Sequence, residues 1–210
     1  MIKAVIFDFD DTLVKTRQCR YKALKFAGKH FYDLEITDEK LGKHWGEPFL
    51  TFAGNVFSHI EAPELIAKKY FSILHNFPTK AYGEANKLLD KLSGDYKLGV
   101  VTAISCKLLK HDAKQAGLNI NKFDFIQGEE HSKVHKPNPE VFRPTLEFFS
   151  QFGISKNEMV YVGDGLCDWE AARDAGIRFI GVSLNSLRVF DEQKITIAKS
   201  LFEIPNLLLN

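Results

Sequence analysis

Apolar and polar positions alternate along this chain in short blocks. Residues 2–7 are apolar apart from Lys3 and mostly β-branched or aromatic, which is the pattern of a buried strand. Comparable runs cover Lys97–Val101, Met159–Val162 and Arg178–Val182, and a fifth, less apolar stretch covers Phe123–Gln127. Helical spacing falls between them. Glu84–Leu92 carries Leu88, Leu89 and Leu92; Lys107–Ala116 runs on to Gly117, and Trp169–Ala175 runs on to Gly176. A glycine just past a helix end suits the left-handed residue that closes many helices. Strands alternating with helices predict an α/β fold with a Rossmann-like parallel sheet covered by helices on both faces.

Residues 15–80 break this rhythm. They contain no convincing strand, they are rich in Lys, His and aromatics, and Gly42, Gly46–Glu47–Pro48 and Ala62–Pro63 punctuate them. A crossover of this length predicts an inserted helical subdomain, with Phe77–Gly83 as the return linker. The expected division is a core of residues 1–14 and 81–210, and an insert of residues 15–80. Phe49, Phe52 and Phe57 read as helix packing. Lys43, His44 and Trp45 could face a substrate, and Trp45 could equally belong to the insert's core.

Composition narrows the class. The chain has 210 residues, 45% of them apolar, with 28 Lys and Arg against 27 Asp and Glu, a formal net charge of +1. That balance offers no single-sign field for nucleic acid or an acidic membrane surface. Cys19, Cys106 and Cys167 have no metal-like spacing and read as free thiols in a reducing compartment. Met1 leads straight into a strand, with no leader-like segment and no run near the roughly 18 apolar residues of a membrane span. The expectation is a cytoplasmic, soluble protein, monomer or homodimer.

The first strand ends in Asp8, Asp10 and Asp11. Clustered carboxylates repel, and each raises the cost of ionising the next. Two other strands also end in polar residues, Thr102 and Asp164. In an open parallel sheet, ligands sit outside the carboxyl ends of the strands, so these three side chains should meet in one crevice. An extended backbone through Asp10 points Asp8 and Asp10 the same way and Asp11 elsewhere. A hard divalent cation such as Mg²⁺ would offset the repulsion, with Asp8 and Asp164 as natural ligands. A structural Ca²⁺ site would instead call for a contiguous calcium loop.

The stretch His135–Phe142 places Lys136 before Pro137. Asn138 suits an N-cap, Pro139 the first helical position and Glu140 the first turn. Lys136 is therefore held just ahead of a helix, and Pro144 should interrupt that helix. Asp168 follows Asp164 by four residues. It could hold Lys136, support a metal through water, or serve the helix N-terminus. His131 and His135 are four apart, a zinc-like spacing on a helix, but they precede Lys136 in a loop and read as surface residues.

Together, Asp8–Phe9–Asp10–Asp11–Thr12, the strand-end Thr102, Lys136–Pro137 and Gly163–Asp168 resemble the four ordered motifs of the haloacid dehalogenase-like hydrolase superfamily. Asp11 stands where many relatives have Gly, and Ala103 where Asn is common. "KPNPEVF" and "AARDAG" resemble the branch of phosphoglycolate phosphatase and β-phosphoglucomutase, which carries a helical cap where the insert falls. The resemblance implies a Mg²⁺-dependent phosphatase acting on a small phosphorylated metabolite. Asp8 would be the nucleophile, and Asp10 the general acid and base with a pKa raised by its acidic neighbours. Thr102, the Ala103 N–H and Lys136 would bind phosphoryl oxygens. Asp8, Asp164 and the Asp10 carbonyl would ligate the metal, with Asp168 in support. A phosphosugar mutase is the alternative with the same nucleophile. A haloacid dehalogenase attacks carbon and needs neither Mg²⁺ nor an acid at Asp10, and a binding protein would not need every catalytic position filled.

Overall fold

The computed structural model describes residues 1–184, 190 and 195–209. The chain divides into two compact units, Met1–Val14 with Ala81–Asn210, and Lys15–Lys80.

The first unit opens with β1 (Ala4–Phe7), whose four residues are all fully buried. Two-sided burial is what a continuous apolar run demands of a central strand. The insert then supplies α1 (Arg17–Tyr32), α2 (Asp38–His44), α3 (Phe49–Val56) and α4 (Pro63–Ile73). The Thr37 hydroxyl caps α2 by accepting the Lys40 N–H, and Pro63 takes the first position of α4. Leu24, Leu41, Val56, Phe57, Ile66 and Tyr70 are among the buried side chains of this unit. Trp45 packs edge-on to Tyr21 and Phe52 at centroid distances of 5.2 and 6.1 Å. Phe49 meets Tyr70 at 5.3 Å, and Phe57 meets Tyr32 at 5.6 Å. The phenylalanines are thus packing residues, and Trp45 joins their cluster.

The core resumes with α5 (Ala85–Leu92), β2 (Lys97–Val101), α6 (Cys106–Ala116) and β3 (Phe125–Gln127). It continues with α7 (Arg143–Ser150), β4 (Met159–Gly163), α8 (Leu166–Ala175) and β5 (Arg178–Val182), then β6 (Thr196–Ala198) and α9 (Ile204–Leu208). The strands form one six-stranded sheet in the order β3-β2-β1-β4-β5-β6, every pair parallel. Gly117 and Gly176 close α6 and α8 in the left-handed conformation, at φ 70° and 72°.

Alternation along the strands divides the core into two layers. Val5, Phe7, Val160 and Val162 pack on α5, α6 and α9 through Leu88, Leu89, Leu109, Ala113 and Ile204. Ala4, Ile6, Met159 and Tyr161 pack on α7 and α8 through Phe149, Ala171 and Ala172. β6 was not expected. It is a three-residue edge strand in which only Ala198 is buried, so it carries no apolar run to mark it. Pro144 interrupts its segment as expected: a 3₁₀ turn over Pro139–Phe142 ends, and α7 starts anew with Pro144 in its first turn. Among the described residues, no helix is long and apolar enough to cross a membrane.

Candidate active site

The register of β1 between β2 and β4 sets the site. Phe7 lies opposite Val100 on one side and Val162 on the other. One residue further on, the Asp8 N–H donates to the Val162 carbonyl at 2.8 Å, so the ladder holds the backbone of Asp8 in place. Phe9 turns into the core and is fully buried. The chain then folds back: the N–H groups of Leu13 and Val14 donate to the Phe9 carbonyl, and Asp11 takes φ 55°. Asp tolerates this left-handed conformation better than most residues. Asp10 stays close enough to Asp8 for its charge to act on that carboxyl.

Lys136 is the hub. Its ammonium donates to Asp8 Oδ1 at 2.7 Å, Asp168 Oδ1 at 2.6 Å and the Tyr161 hydroxyl at 2.9 Å. The lysine and both carboxylate side chains are at most 8% exposed, so solvent screens these pairs little. Burial opposes the charge on Lys136, but Asp168 and Asp8 outweigh it and hold its pKa well above the ordinary lysine value. Burial pushes the Asp8 carboxyl up to about 7; Lys136 pulls against this, while Asp168 and Asp10 add to it. One ammonium thus does not satisfy the local negative charge.

Asp168 fills two of the roles its position allows. Its Oδ1 takes Lys136 and lies 3.0 Å from the Tyr161 hydroxyl, while Oδ2 accepts the Gly165 N–H at 3.0 Å and caps α8. Gly163 makes room for it. A Cβ there would lie 2.7 Å from both Cβ and Cγ of Asp168. We expect Gly163→Ala to displace Asp168, costing about 1–3 kcal/mol of stability and lowering turnover. Urea unfolding and a rate assay read the two effects.

Thr102 follows β2, its N–H bound to the Gln127 carbonyl at 3.0 Å and its hydroxyl 3.5 Å from Asp10 Oδ2. The Thr12 hydroxyl lies 3.5 Å from Asp8 Oδ2. Ala103 continues the Thr102 loop and is partly exposed. The fold therefore gathers Asp8, Asp10, Thr102, Ala103, Lys136, Asp164 and Asp168 at the carboxyl ends of β1, β2 and β4.

Two residues of this region were not singled out from sequence. Tyr161 is fully buried in β4, with its hydroxyl 3.2 Å from the Val101 carbonyl. Gln127 is buried at the end of β3; its amide donates to the Val141 carbonyl at 2.6 Å, and its Oε1 accepts from Thr145 at 2.7 Å. A polar group within an apolar strand is the signal that marks both. Burial, with Asp168 beside it, pushes the Cys167 thiol up to about 12, which disfavours the thiolate.

The donor set fits a hard divalent ion. Carboxylate oxygens of Asp8, Asp164 and Asp168 lie within 4.8 Å of one another, and every donor is oxygen. Asp168 is already committed to Lys136, Tyr161 and Gly165, which leaves Asp8 and Asp164 as the side chains able to hold the ion.

A protein of Clostridium perfringens (strain 13 / Type A) named "Putative pyrophosphatase PpaX" is 32% identical over 189 residues, 89% of this chain and 86% of its own length. The glyceraldehyde 3-phosphate phosphatase of Methanopyrus kandleri is 28% identical, covering 84% of this chain and 82% of its own. The crystal structure of a predicted phosphoglycolate phosphatase from Haemophilus somnus 129pt superposes with a TM-score of 0.83 at 18% identity, over 98% of this chain and 97% of that one. Residues 5–182 match the haloacid dehalogenase-like hydrolase family, and with the ordered motifs assembled around Asp8 and Lys136, the chain belongs to that family.

Proposed function

We propose that the protein is a Mg²⁺-dependent phosphatase that hydrolyses a small phosphomonoester through an aspartyl-phosphate on Asp8. The observation that carries this reading is the buried Asp8 at the end of β1, held by Lys136 at 2.7 Å among a surplus of carboxylates. An Asp8 oxygen attacks phosphorus, and the bond to the leaving oxygen breaks as Asp10 gives that oxygen a proton. In the second step Asp10 takes a proton from water, the water oxygen bonds to phosphorus, and Asp8 is released. Thr102 and the Ala103 N–H receive phosphoryl oxygens, and Lys136 balances their charge, since positioning and electrostatics dominate such transfers. Asp8, Asp164 and the Asp10 main-chain carbonyl would hold Mg²⁺. When bound, it supplies positive charge against the phosphoryl group. Residues 15–80 serve as the helical cap to a catalytic core of residues 1–14 and 81–210.

Inorganic pyrophosphate is a second reading, favoured by the name of the 32% identical relative. A screen of phosphorylated metabolites, sugars, nucleotides and pyrophosphate, reading released phosphate with and without Mg²⁺, separates the two. Phosphate from no compound with any divalent metal would sink both. Isomerisation of a phosphosugar without phosphate release would establish the mutase instead.

The Asp8 pKa gives a further expected result. Below about pH 7 the ion-free carboxyl carries a proton that Mg²⁺ must displace. Mg²⁺ affinity should therefore rise with pH up to about 7 and then level off. Calorimetry in buffers of different ionisation enthalpy should show proton release below that point. An affinity independent of pH would contradict the raised pKa.

A further inference from the structure

A second group of metal-binding side chains lies away from the carboxylate crevice, where α6 begins. Cys106 is the first residue of α6, and its thiol lies 4.0 Å from Nδ1 of His131, a residue 25 positions along the chain. Both carboxylate oxygens of Glu130 accept the Cys106 N–H, at 3.0 and 3.2 Å. One ligand atom from each of Cys106, Glu130 and His131 lies within 4.8 Å of the other two. The Gly128 N–H donates to His131 Nδ1 at 3.2 Å, so Nδ1 bears the lone pair and the ring proton sits on Nε2. The nitrogen nearest the thiol is thus the one that would ligate, exchanging its hydrogen bond from Gly128 for the metal.

Gly128 keeps this space open. Its backbone, φ −99° and ψ −178°, would accept any residue. A Cβ there would nonetheless lie 2.5 Å from Glu130 Oε2, 2.6 Å from the Cys106 nitrogen and 2.9 Å from the Cys106 sulfur. Glycine is required here by its proximity to Cys106 and Glu130.

We propose that Cys106, Glu130 and His131 form a zinc site, with water as the fourth ligand. Tetrahedral zinc, with bonds of about 2.3 Å to sulfur and 2.0–2.1 Å to nitrogen, sets those atoms about 3.6 Å apart. A small side-chain rotation closes the present 4.0 Å. The mixed sulfur, nitrogen and oxygen set suits zinc and not Mg²⁺, which takes oxygen alone. Glu130 and His131 are exposed and Cys106 is partly so, which leaves room for the water. On binding, the Cys106 thiol gives its proton to solvent and the imidazole and carboxylate replace waters of the ion. The site would tie the start of α6 to the loop after β3. That loop already holds the Thr102 segment, through Glu129 N–H to the Ile104 carbonyl at 3.1 Å.

Cobalt(II), with Mg²⁺ in excess to occupy the carboxylate crevice, tests the proposal on the full chain. The wild type should take up one Co²⁺ with a thiolate-to-cobalt charge-transfer band and tetrahedral visible absorption, both removed by competing zinc. Cys106→Ser should lose the band, while Cys19→Ser and Cys167→Ser keep it. His131→Ala, at an exposed position, should weaken uptake about tenfold or more. The proposal is overturned if the wild type shows no band, if Cys106→Ser keeps it, if Cys167→Ser removes it, or if His131→Ala binds as tightly as wild type.

Discussion

Asp8→Asn should lower phosphate release by roughly 10⁴-fold or more, the scale seen when a nucleophile acting within a catalytic unit is removed. Asn preserves the shape and the hydrogen bond of its backbone N–H to Val162, but its amide is a poor nucleophile toward phosphorus. A second measurement keeps this result distinct from unfolding. In the ion-free wild type the Asp8 carboxyl stays protonated up to about pH 7, against an ordinary value of 3.8. Between those values the native state binds more protons than the unfolded chain. Asp8's contribution to stability therefore falls as pH rises from about 4 to about 7. Asn carries no such charge. The melting temperature of Asp8→Asn minus that of wild type, without divalent ions, should increase from pH 5 to pH 8. Wild-type turnover in the variant would remove Asp8 from the nucleophile's role, and a flat difference would contradict its raised pKa.

Lys136→Ala should lose activity and also stability, by about 3–5 kcal/mol, the usual cost of leaving buried charge without its partner. Asp8 and Asp168 would face one another with no ammonium between them, and Tyr161 would lose its 2.9 Å donor. The pH dependence follows from the carboxylates. The folded pKa of Lys136 lies above its ordinary 10.5, so the lysine is charged throughout pH 5–9 and its own ionisation adds no slope there. In the variant Asp8, whose carboxyl burial already raises, loses the ammonium that pulls against this and takes up its proton more readily, so the deficit should shrink as pH falls. Urea unfolding at pH 5 and pH 8 reads this directly. A deficit below about 1 kcal/mol at both would mean that the network is solvated.

Much of the site was legible because its cues are local. A β-branched run ending in Asp8, a Thr closing "LGVVT" and a Gly flanking Asp164 each announce a strand end at short range. Their convergence then follows from a rule about parallel sheets. The Asn138 cap was equally local: its side chain accepts the Glu140 N–H at 3.0 Å. Asp168 was harder, since its position allowed three roles. Only the packing of Gly163 against it and the reach of Lys136 selected two of them.

What the sequence by itself determined is the central strands, the helices between them and the order of polar strand ends. Hydrophobic periodicity, glycine at Gly117 and Gly176, and proline at Pro139 and Pro144 act within a few residues and need no distant partner. Only the tertiary structure decided which buried polar groups pair. Tyr161 reaches Lys136 and Asp168 because the parallel register sets β4 beside β1. Gln127 meets Val141 and Thr145 across α7's approach to the sheet. His131, matched by spacing with His135, instead stands beside Cys106 and Glu130, because β3 ends next to the start of α6. Such pairings depend on distances between segments far apart in the chain. Burial then makes each pairing consequential, since a polar group removed from water must find its partner in the protein.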